Sequence, residues 1–306
     1  MSRVQVIIPI YHPTAKFHAC LQALANQQPR DFSVLILDSG SEGDTWRQEA
    51  ETLHAKVVRI NPAQFNHGGT RQQGIEHTRE AEIHVFLTQD AVPADTHAIA
   101  LLVQAFDDPG VGCAYGRQLP HPEADIFAAH ARAFNYPAEG HCYTFADRAT
   151  HGMKTAFSSN SFAAYRREAM EAVGGFPVHT ILSEDMYVTA KMLQAGWKAA
   201  YVADACVYHS HNYSLGQEFR RYFDIGVFHH REKWIRDTFG QAEGEGGRFV
   251  RDEVHLLLRH APYLLPMMVL RDGLKFLGYR LGIAEAHIPG AIRRQLSMNP
   301  RFFDGG

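Results

Sequence analysis

The alternation of short apolar runs with helix-like stretches is the feature that most constrains this fold. Runs rich in Val, Ile and Leu lie at 4–10, 33–37, 56–60 and 83–87, and helix-like stretches at 14–27, 44–53 and 69–78 separate them. This pattern predicts an α/β fold with a mostly parallel sheet and helices on both faces, in which ligands bind beyond the carboxyl ends of the strands. Tyr11, Asp38 and Asp90 stand at such ends.

The remainder of the chain continues this pattern and then becomes helical. Strands are predicted at 111–116, 156–165 and 198–202, and helices at 96–106, 125–134, 166–173 and 183–195, with a looser stretch at 135–154. Beyond residue 213 the pattern is mainly helical, and the Gly-rich stretch 240–247 is predicted to be a flexible joint. We therefore expect an α/β domain over residues 1–215 and a C-terminal helical region over 216–306.

Charge and cysteine usage exclude several classes of protein. The formal net charge is −3, so the basic field of a nucleic-acid-binding protein is absent, and no nucleic-acid partner is expected. The four cysteines form no CxxC pair, which argues against a thiol zinc site or a disulfide framework. The N-terminal residues lack the pattern of a signal peptide, so a cytoplasmic location is expected.

The C-terminal region combines apolar runs with basic residues. From Arg248 to the end there are nine Arg or Lys and five Asp or Glu, a local excess of 9 − 5 = +4. Charged residues interrupt the apolar stretch 254–283, which argues against a spanning helix. The composition fits helices that lie on an anionic membrane surface; packing on the catalytic domain or on a second subunit is the alternative.

Six segments in order carry a resemblance to family 2 glycosyltransferases, in particular to bacterial rhamnosyltransferases of surface-polysaccharide assembly. The segments are VIIPIYHP (6–13), LILDSGSEGDT (35–45), FNHGGTRQQGI (65–75), VFLTQDAVPAD (85–95), SSNSFAAYRREAMEAVGGF (158–176), and SEDMYVTAKMLQAGWKAAYV with VYHSHNYS (183–214). The resemblance implies the GT-A fold, with a donor half over about 1–117 and an acceptor half over about 118–215.

The resemblance also implies a nucleotide-sugar site at the first strand ends. Asp38 is expected to recognise the base, with Pro9 and Tyr11 forming the floor of the pocket and Gln89 beside the sugar nucleotide. Arg71 and the backbone N–H groups of the adjacent glycines are expected to face the diphosphate. The competing interpretations are a turn-forming aspartate for Asp38 and a surface helix residue for Arg71.

A reduced metal motif follows the fourth predicted strand. The family's Asp-x-Asp pattern is here Thr88-Gln89-Asp90, which keeps only the last carboxylate. The resemblance implies that Asp90 holds Mg²⁺ or Mn²⁺ against the donor diphosphate, with His209, or less favourably His211, as a further ligand. The chain contains 19 histidines, so a polar histidine without a ligand role is the alternative.

The acceptor half carries the expected catalytic base. The family's base lies at a Glu-Asp pair, which matches Glu184 and Asp185 here, and Asp185 is expected to take the proton of the acceptor hydroxyl. Glu184 is expected to contact the acceptor or to support the base, and Ser159 and Asn160 are expected beside the acceptor. Acidic residues at a helix start are also favoured by the helix dipole alone.

These residues lead to a specific hypothesis. We expect inverting, metal-assisted transfer of a sugar, specifically L-rhamnose from dTDP-β-L-rhamnose, to a lipid-linked glycan at the cytoplasmic face of the inner membrane. Transfer of another UDP- or dTDP-sugar is the alternative among enzymes. The missing metal carboxylate raises a second alternative, a catalytically inactive subunit that binds a sugar nucleotide or a glycan.

Overall fold

One mixed sheet forms the centre of the molecule. The computed structural model describes residues 3–41, 43, 45–240 and 244–304. The strands in this part of the chain are β1 (Val4–Ile10), β2 (Phe32–Asp38), β3 (Lys56–Arg59), β4 (Ile83–Leu87), β5 (Val92–Pro93), β6 (Val111–Leu119), β7 (His141–Tyr143), β8 (Phe162–Arg166) and β9 (Lys198–Tyr208).

Helices surround the sheet and make up the C-terminal region. They are α1 (Ala15–Ala25), α2 (Arg47–Thr52), α3 (His67–Glu76), α4 (Ala98–Gln104), α5 (Ile126–Asn135), α6 (Arg148–His151), α7 (Arg167–Val173), α8 (Glu184–Gln194), α9 (Leu215–Arg231), α10 (Lys233–Phe239), α11 (Glu245–His260), α12 (Leu265–Ile283) and α13 (Gly290–Leu296). Short 3-10 turns connect several of them.

The sheet is parallel in its first half and mixed beyond it. Its strand order is β3-β2-β1-β4-β8-β6-β9-β5, with β7 paired to β9. The strands β1 to β4 pair in parallel, while β8 runs antiparallel to both β4 and β6. The predicted α/β class is therefore confirmed, and the parallel arrangement is limited to the N-terminal strands and the β6–β9 pair.

Alternate residues of the central strands supply two separate apolar cores. Val6 and Ile8 of β1 pack with Phe17 of α1 on one face of the sheet. Ile7 packs on the opposite face, in the same cluster as Phe86 of β4. Because successive side chains of a strand point to opposite faces, a continuously apolar strand needs helices on both sides.

Two predictions about local structure differ from the observed fold. The predicted strand at 156–165 is shorter, since residues 152–156 form a 3-10 turn and β8 begins at Phe162. The polar residues between them take part in site contacts, not in the strand ladder, as Asn160 does with Glu184. In the predicted joint at 240–247, residues 241–243 lie outside the described residues, and α11 already begins at Glu245.

The helices after residue 215 share the main core. Phe223, Val227 and Phe239 belong to the same apolar cluster as Tyr165 of β8. Among the described helices, none is both long and apolar enough to cross a bilayer. The division at residue 215 remains a prediction, because this packing continues across it.

Glycines allow α9 and α12 to pack backbone against backbone. A Cβ atom at Gly278 would overlap the carbonyl oxygen of Phe219, and one at Gly282 would overlap that of Phe223. On the facing helix, a Cβ at Gly226 would overlap the carbonyl oxygen of Tyr279. The close contact fixes the position of α9, which lines the cavity described below.

A pair of glycine variants in α12 tests this packing. We expect Gly278→Ala to lower the free energy of unfolding by about 1–3 kcal/mol, since the added methyl group meets rigid backbone. Gly273→Ala in the same helix meets no atom within 4 Å and is expected to stabilise by up to about 1 kcal/mol through helix propensity. Urea denaturation of both variants measures the difference, and equal midpoints would contradict the proposed packing.

Candidate active site

The carboxyl ends of β1 and β2 hold the residues predicted to bind the nucleotide. Asp38 ends β2 with only 1% exposure, and its Oδ1 accepts a hydrogen bond from the Ser41 amide at 2.8 Å. Pro9 lies near the end of β1, and Tyr11 follows that strand with a side chain that is 51% exposed. Asp38 thus stabilises the turn after β2, and base recognition remains a prediction.

The Gln89 side chain links the segment that follows β4 to the segment that follows β1. Its side-chain Oε1 accepts a hydrogen bond from the Tyr11 amide at 2.8 Å, and its Nε2 donates to the Tyr11 carbonyl at 3.0 Å. Both ends of the amide therefore contact the backbone that follows β1. This geometry gives Gln89 a role in holding Tyr11 in place, and a direct contact with a sugar nucleotide remains a prediction.

Asp90, His209 and His211 form the predicted metal cluster. Asp90 follows β4, and both histidines follow β9; pairing of β5 with the end of β9 brings the two segments together. Asp90 Oδ1 lies 3.6 Å from His209 Nε2, and Asp90 Oδ2 lies 3.6 Å from His211 Nε2. One ligand atom from each residue lies within 4.8 Å of the others, so the three could hold one ion.

A hydrogen-bond network orients His209 toward the centre of this cluster. Gln118 Oε1 accepts from Arg132 and lies 2.8 Å from His209 Nδ1, while Gln118 Nε2 donates to Ser159 Oγ at 2.8 Å. Because Arg132 can only donate, the Gln118 atom beside it is the oxygen, and His209 Nδ1 must carry the proton. The lone pair of His209 then lies on Nε2, facing Asp90, as a metal ligand requires.

His209 is also held in the form that binds metal. Burial, helped by the charges of His211 and Arg132, lowers the pKa of His209 to about 3 despite the opposing effect of Asp90. The imidazole is therefore neutral at physiological pH, with a lone pair free for a cation. An aspartate with two imidazoles departs from the all-oxygen set that Mg²⁺ prefers and is compatible with a divalent transition ion.

Asp185 lies at the start of α8 with its carboxylate fixed on both sides. Its Oδ2 accepts a hydrogen bond from the Asn160 amide at 2.9 Å, and its Oδ1 accepts one from the Met186 amide at 2.8 Å. Burial and the neighbouring Glu184 carboxylate together raise the pKa of Asp185 to about 6, against the opposing effect of these hydrogen bonds. A carboxylate with this pKa is well suited to act as a general base near neutral pH.

Glu184 is engaged by other protein groups. Its Oε1 lies 3.0 Å from Arg71 Nη1 and accepts a hydrogen bond from Asn160 Nδ2 at 2.9 Å. Burial alone would raise the pKa of Glu184, but the charge of Arg71 holds it below its ordinary value. The two adjacent carboxyl groups therefore have pKa values displaced in opposite directions, and the geometry favours the supporting role predicted for Glu184 over contact with the acceptor.

Four contacts of Arg71 and the neighbouring glycines were not predicted from the sequence. Arg71 is buried, pairs with Glu184 and donates to the His67 carbonyl at 3.0 Å, so part of its guanidinium is already used within the protein. A Cβ at Gly68 would overlap the carbonyl oxygen of Pro177, and the Gly69 amide donates to Asn66 Oδ1 at 2.6 Å. These glycines thus serve close packing and helix capping, and their contact with a diphosphate remains a prediction.

A single large cavity brings most of the predicted residues together. It has a volume of about 1050 Å³, and among the residues that line it are Arg71, Asp90, Ser159, Asn160, Glu184, Asp185, His209 and His211. Pro9, Tyr11, Asp38 and Gln89 are not part of this lining and lie at the neighbouring strand ends. Residues from α5, α9, α11 and α12 also line the cavity.

Sequence comparisons place the chain among curated transferases. It is 44% identical over 302 residues to the O-antigen chain rhamnosyltransferase RfbN of Salmonella typhimurium strain LT2, covering 99% of this chain and 96% of that protein. It is 45% identical over 305 residues to the O-antigen chain rhamnosyltransferase WbaN of Salmonella anatum, with the same coverage.

Comparison with solved structures confirms the predicted GT-A fold. The mannosyltransferase PcManGT of Pyrobaculum calidifontis, in complex with GDP-Man and Mn²⁺, matches with a TM-score of 0.58 at 22% identity, over 99% of this chain and 85% of that one. TarS (1–349) of S. aureus in complex with UDP-GlcNAc matches with a TM-score of 0.55 at 13% identity, over 94% of this chain and 92% of that one. At these identities the likeness concerns the fold alone.

The family match extends over the strand ends, the metal cluster and the Glu-Asp pair. Residues 2–223 match the sequence family described as glycosyltransferase like family 2. Together with the two Salmonella relatives, this match shows that the chain is an enzyme of glycosyl transfer and belongs to the family 2 glycosyltransferases.

Proposed function

We propose that this enzyme transfers L-rhamnose from dTDP-β-L-rhamnose, with inversion, to a hydroxyl group of a lipid-linked glycan in O-antigen assembly. The observation that carries the reaction type is Asp185, a fixed carboxylate with a raised pKa that lines the same cavity as the Asp90–His209–His211 cluster. The choice of sugar and acceptor is supported by the two Salmonella relatives, both O-antigen chain rhamnosyltransferases.

The transfer reaction needs one group that accepts a proton and another that stabilises the leaving diphosphate. The acceptor hydroxyl oxygen attacks the anomeric carbon from the face opposite to the diphosphate and passes its proton to Asp185. The bond from the anomeric carbon to the diphosphate oxygen breaks, and its electron pair leaves with the nucleoside diphosphate. A divalent cation bound by Asp90, His209 and His211 would supply charge stabilisation to that leaving group.

Supporting contacts keep these groups in place. Asn160 donates its backbone N–H to Asp185 and its side-chain amide to Glu184, and the Tyr165 hydroxyl holds the amide oxygen at 2.9 Å. Ser159 accepts from Gln118, which also orients His209. Acceptor contact by Ser159 and Asn160 is therefore proposed together with a positioning role for both residues.

A donor panel tests the proposed function. The protein is incubated with dTDP-L-rhamnose and other dTDP- and UDP-sugars, with Mg²⁺ or Mn²⁺ and a lipid-linked oligosaccharide acceptor. We expect release of dTDP and an acceptor mass increase of one rhamnose. Product from another donor would support the alternative sugar specificity, whereas donor binding without turnover on any acceptor would support an inactive binding subunit.

We further propose that the enzyme works at the cytoplasmic face of the inner membrane, docked through its C-terminal helices. Four exposed apolar residues at intervals of four, three and seven form an apolar stripe on α12 and the turn before it: Tyr263, Met267, Leu270 and Leu277. Exposed Arg259 and Arg280 flank this apolar stripe. Apolar side chains bordered by cations match the interface of an anionic bilayer.

Vesicle binding tests the membrane proposal. We expect the double variant Tyr263→Ser/Leu270→Ser to weaken binding to vesicles of phosphatidylethanolamine and phosphatidylglycerol by at least about tenfold, since each buried large apolar side chain contributes about 1.5 kcal/mol or more. Val178→Ser is the matched control, because Val178 is exposed but lies far from α12 in sequence and follows α7. An unchanged bound fraction for the double variant would contradict the proposal.

A further inference from the structure

Among the described residues, the Arg and Lys side chains that line the cavity are all paired within the protein except one. Five of them contact protein groups: Arg71 with Glu184, Arg132 with Gln118, Lys154 with Glu245, Arg271 with Glu218, and Lys275 with Asp272. Arg221 of α9 also lines the cavity, and its side chain makes no hydrogen bond or ion pair with any residue that the structure describes. Its guanidinium is therefore available to a ligand.

Arg221 lies near the donor end of the cavity. Burial is the main cause of the low pKa of His67, and the charge of Arg221 adds to it. The same holds for His211 of the metal cluster. Arg221 is thus within electrostatic range both of the start of α3 and of the cluster beside which the diphosphate is expected.

The backbone of α9 holds this side chain at a fixed place. Ser214 and Gln217 form a capping box at the helix start, with the Gln217 amide donating to Ser214 Oγ at 3.3 Å. Asp224, one turn after Arg221, accepts hydrogen bonds from Ser297 Oγ at 2.6 Å and from Asn299 Nδ2 at 3.0 Å. With the glycine contacts to α12, these bonds fix the part of α9 that carries Arg221.

The Arg221 side chain is half-buried, and none of its nitrogens is among the enclosed atoms that lack a partner, so the guanidinium is open to the cavity. Asp224, the carboxylate of α9 within electrostatic range of Arg221, is hydrogen-bonded by Ser297 and Asn299. Three carboxylates of the cavity lining are engaged by other cations: Glu184, Glu218 and Asp272. The planar fork of a guanidinium matches two oxygens of a phosphate group. We propose that Arg221 binds the diphosphate group of a substrate in this cavity.

This assignment rests on the proposed function and leaves two sources for the diphosphate. One is the nucleoside diphosphate of the donor, which gains negative charge as the glycosidic bond breaks. The other is the diphosphate that joins a lipid to the acceptor glycan. The chemistry that Arg221 recognises is the same in both, so the experiment must separate them.

Ligand binding by isothermal titration calorimetry provides the first measurement. With Mg²⁺ present, we expect Arg221→Gln to weaken binding of dTDP or of inorganic diphosphate by about 10- to 100-fold, as for loss of a charged hydrogen bond. Arg220→Gln is the matched control, because Arg220 is the preceding residue of the same helix but is exposed and outside the cavity lining. Equal thermal midpoints of the two variants would show that folding is unaffected.

Kinetics then distinguish the two sources. A higher KM for the donor with an unchanged KM for the acceptor assigns Arg221 to the nucleoside diphosphate. A higher KM for a diphospholipid-linked acceptor, but not for the same glycan on a neutral alkyl chain, assigns it to the acceptor. Wild-type affinities and KM values in Arg221→Gln for all these ligands would overturn the proposal.

These measurements test the role of Arg221 separately from the proposed function. Wild-type protein that binds inorganic diphosphate through Arg221 but does not bind dTDP would contradict the proposed donor and leave the role of Arg221 standing. Wild-type protein that binds dTDP with an affinity unaffected by Arg221→Gln, and transfers rhamnose normally in that variant, would support the function and refute the role of Arg221.

Discussion

Replacing Asp185 with Asn is expected to lower kcat for sugar transfer by a factor of about 10²–10⁴, the usual contribution of a general base. The amide keeps the shape of the side chain but cannot accept the proton of the acceptor hydroxyl. Donor binding should change little, because Asp185 lies at the start of α8 and not at the strand ends of β1 and β2, where the nucleotide is predicted to bind. Steady-state kinetics and dTDP calorimetry together measure this separation.

The same carboxylate predicts the pH dependence of the wild-type enzyme. Burial and the adjacent Glu184 charge raise the pKa of Asp185 to about 6. The base is active when deprotonated, so kcat should be constant above about pH 7 and should fall about tenfold per pH unit below about pH 6. An ordinary aspartate, with a pKa of about 3.9, would keep nearly full activity down to about pH 5.

Controls make this prediction specific. Asp204→Asn alters an exposed carboxylate of β9 and is expected to leave both kcat and the pH profile unchanged. The kcat–pH profile of Glu184→Gln should show a lower apparent pKa than the wild-type profile, because the substitution removes the negative charge beside Asp185. Turnover at the wild-type rate by Asp185→Asn would exclude this residue as the base.

Local patterns in the sequence were sufficient to predict the strand ends and the residues they carry. Continuous apolar runs identify β1, β2 and β4, because a strand buried on both faces cannot alternate with polar residues. Since these strands run parallel, Asp38 and Asp90 had to emerge at the same edge of the sheet. The six segments that resemble family 2 glycosyltransferases also predicted the Glu-Asp pair at the start of α8.

Contacts between distant segments were not predictable in this way. The pairing of Arg71 with Glu184 joins residues 113 positions apart (184 − 71), and neither local sequence indicates the other. The Gln118 network that orients His209 similarly links β6 with the residue after β9. Such contacts depend on the mixed half of the sheet, whose β8 pairing no local periodicity specifies.

Removal of the Asp90 carboxylate is expected to have the second large effect. With Asp90→Asn, the cluster would consist of two neutral imidazoles and an amide, which attract a divalent cation much less than a carboxylate does. We expect Mn²⁺ affinity, measured by electron paramagnetic resonance of the free ion, to fall by at least about 100-fold. This loss exceeds the usual effect, about 10- to 100-fold, of changing a residue that only hydrogen-bonds to a metal ligand. Transfer activity should fall in parallel.

A change at Gln118, which contacts His209 but is not itself a predicted ligand, should weaken Mn²⁺ binding by a smaller factor. Gln118→Leu removes the acceptor for His209 Nδ1 while keeping all three predicted ligands, so Mn²⁺ affinity should fall by about 10- to 100-fold. His255→Gln, on exposed α11, is the control and should bind Mn²⁺ as the wild type does. Because this binding assay needs neither donor nor acceptor, it examines the cluster independently of the proposed substrate.

The graded order of these variants is the decisive result. A site built on one carboxylate should depend on it most strongly, so Asp90→Asn should weaken Mn²⁺ binding more than Gln118→Leu does. If instead Asp90→Asn bound Mn²⁺ with wild-type affinity, the cluster would not be the metal site. Full transfer activity after exhaustive chelation would further imply that the Arg71 and Arg221 guanidinium groups, and not an ion, stabilise the leaving diphosphate.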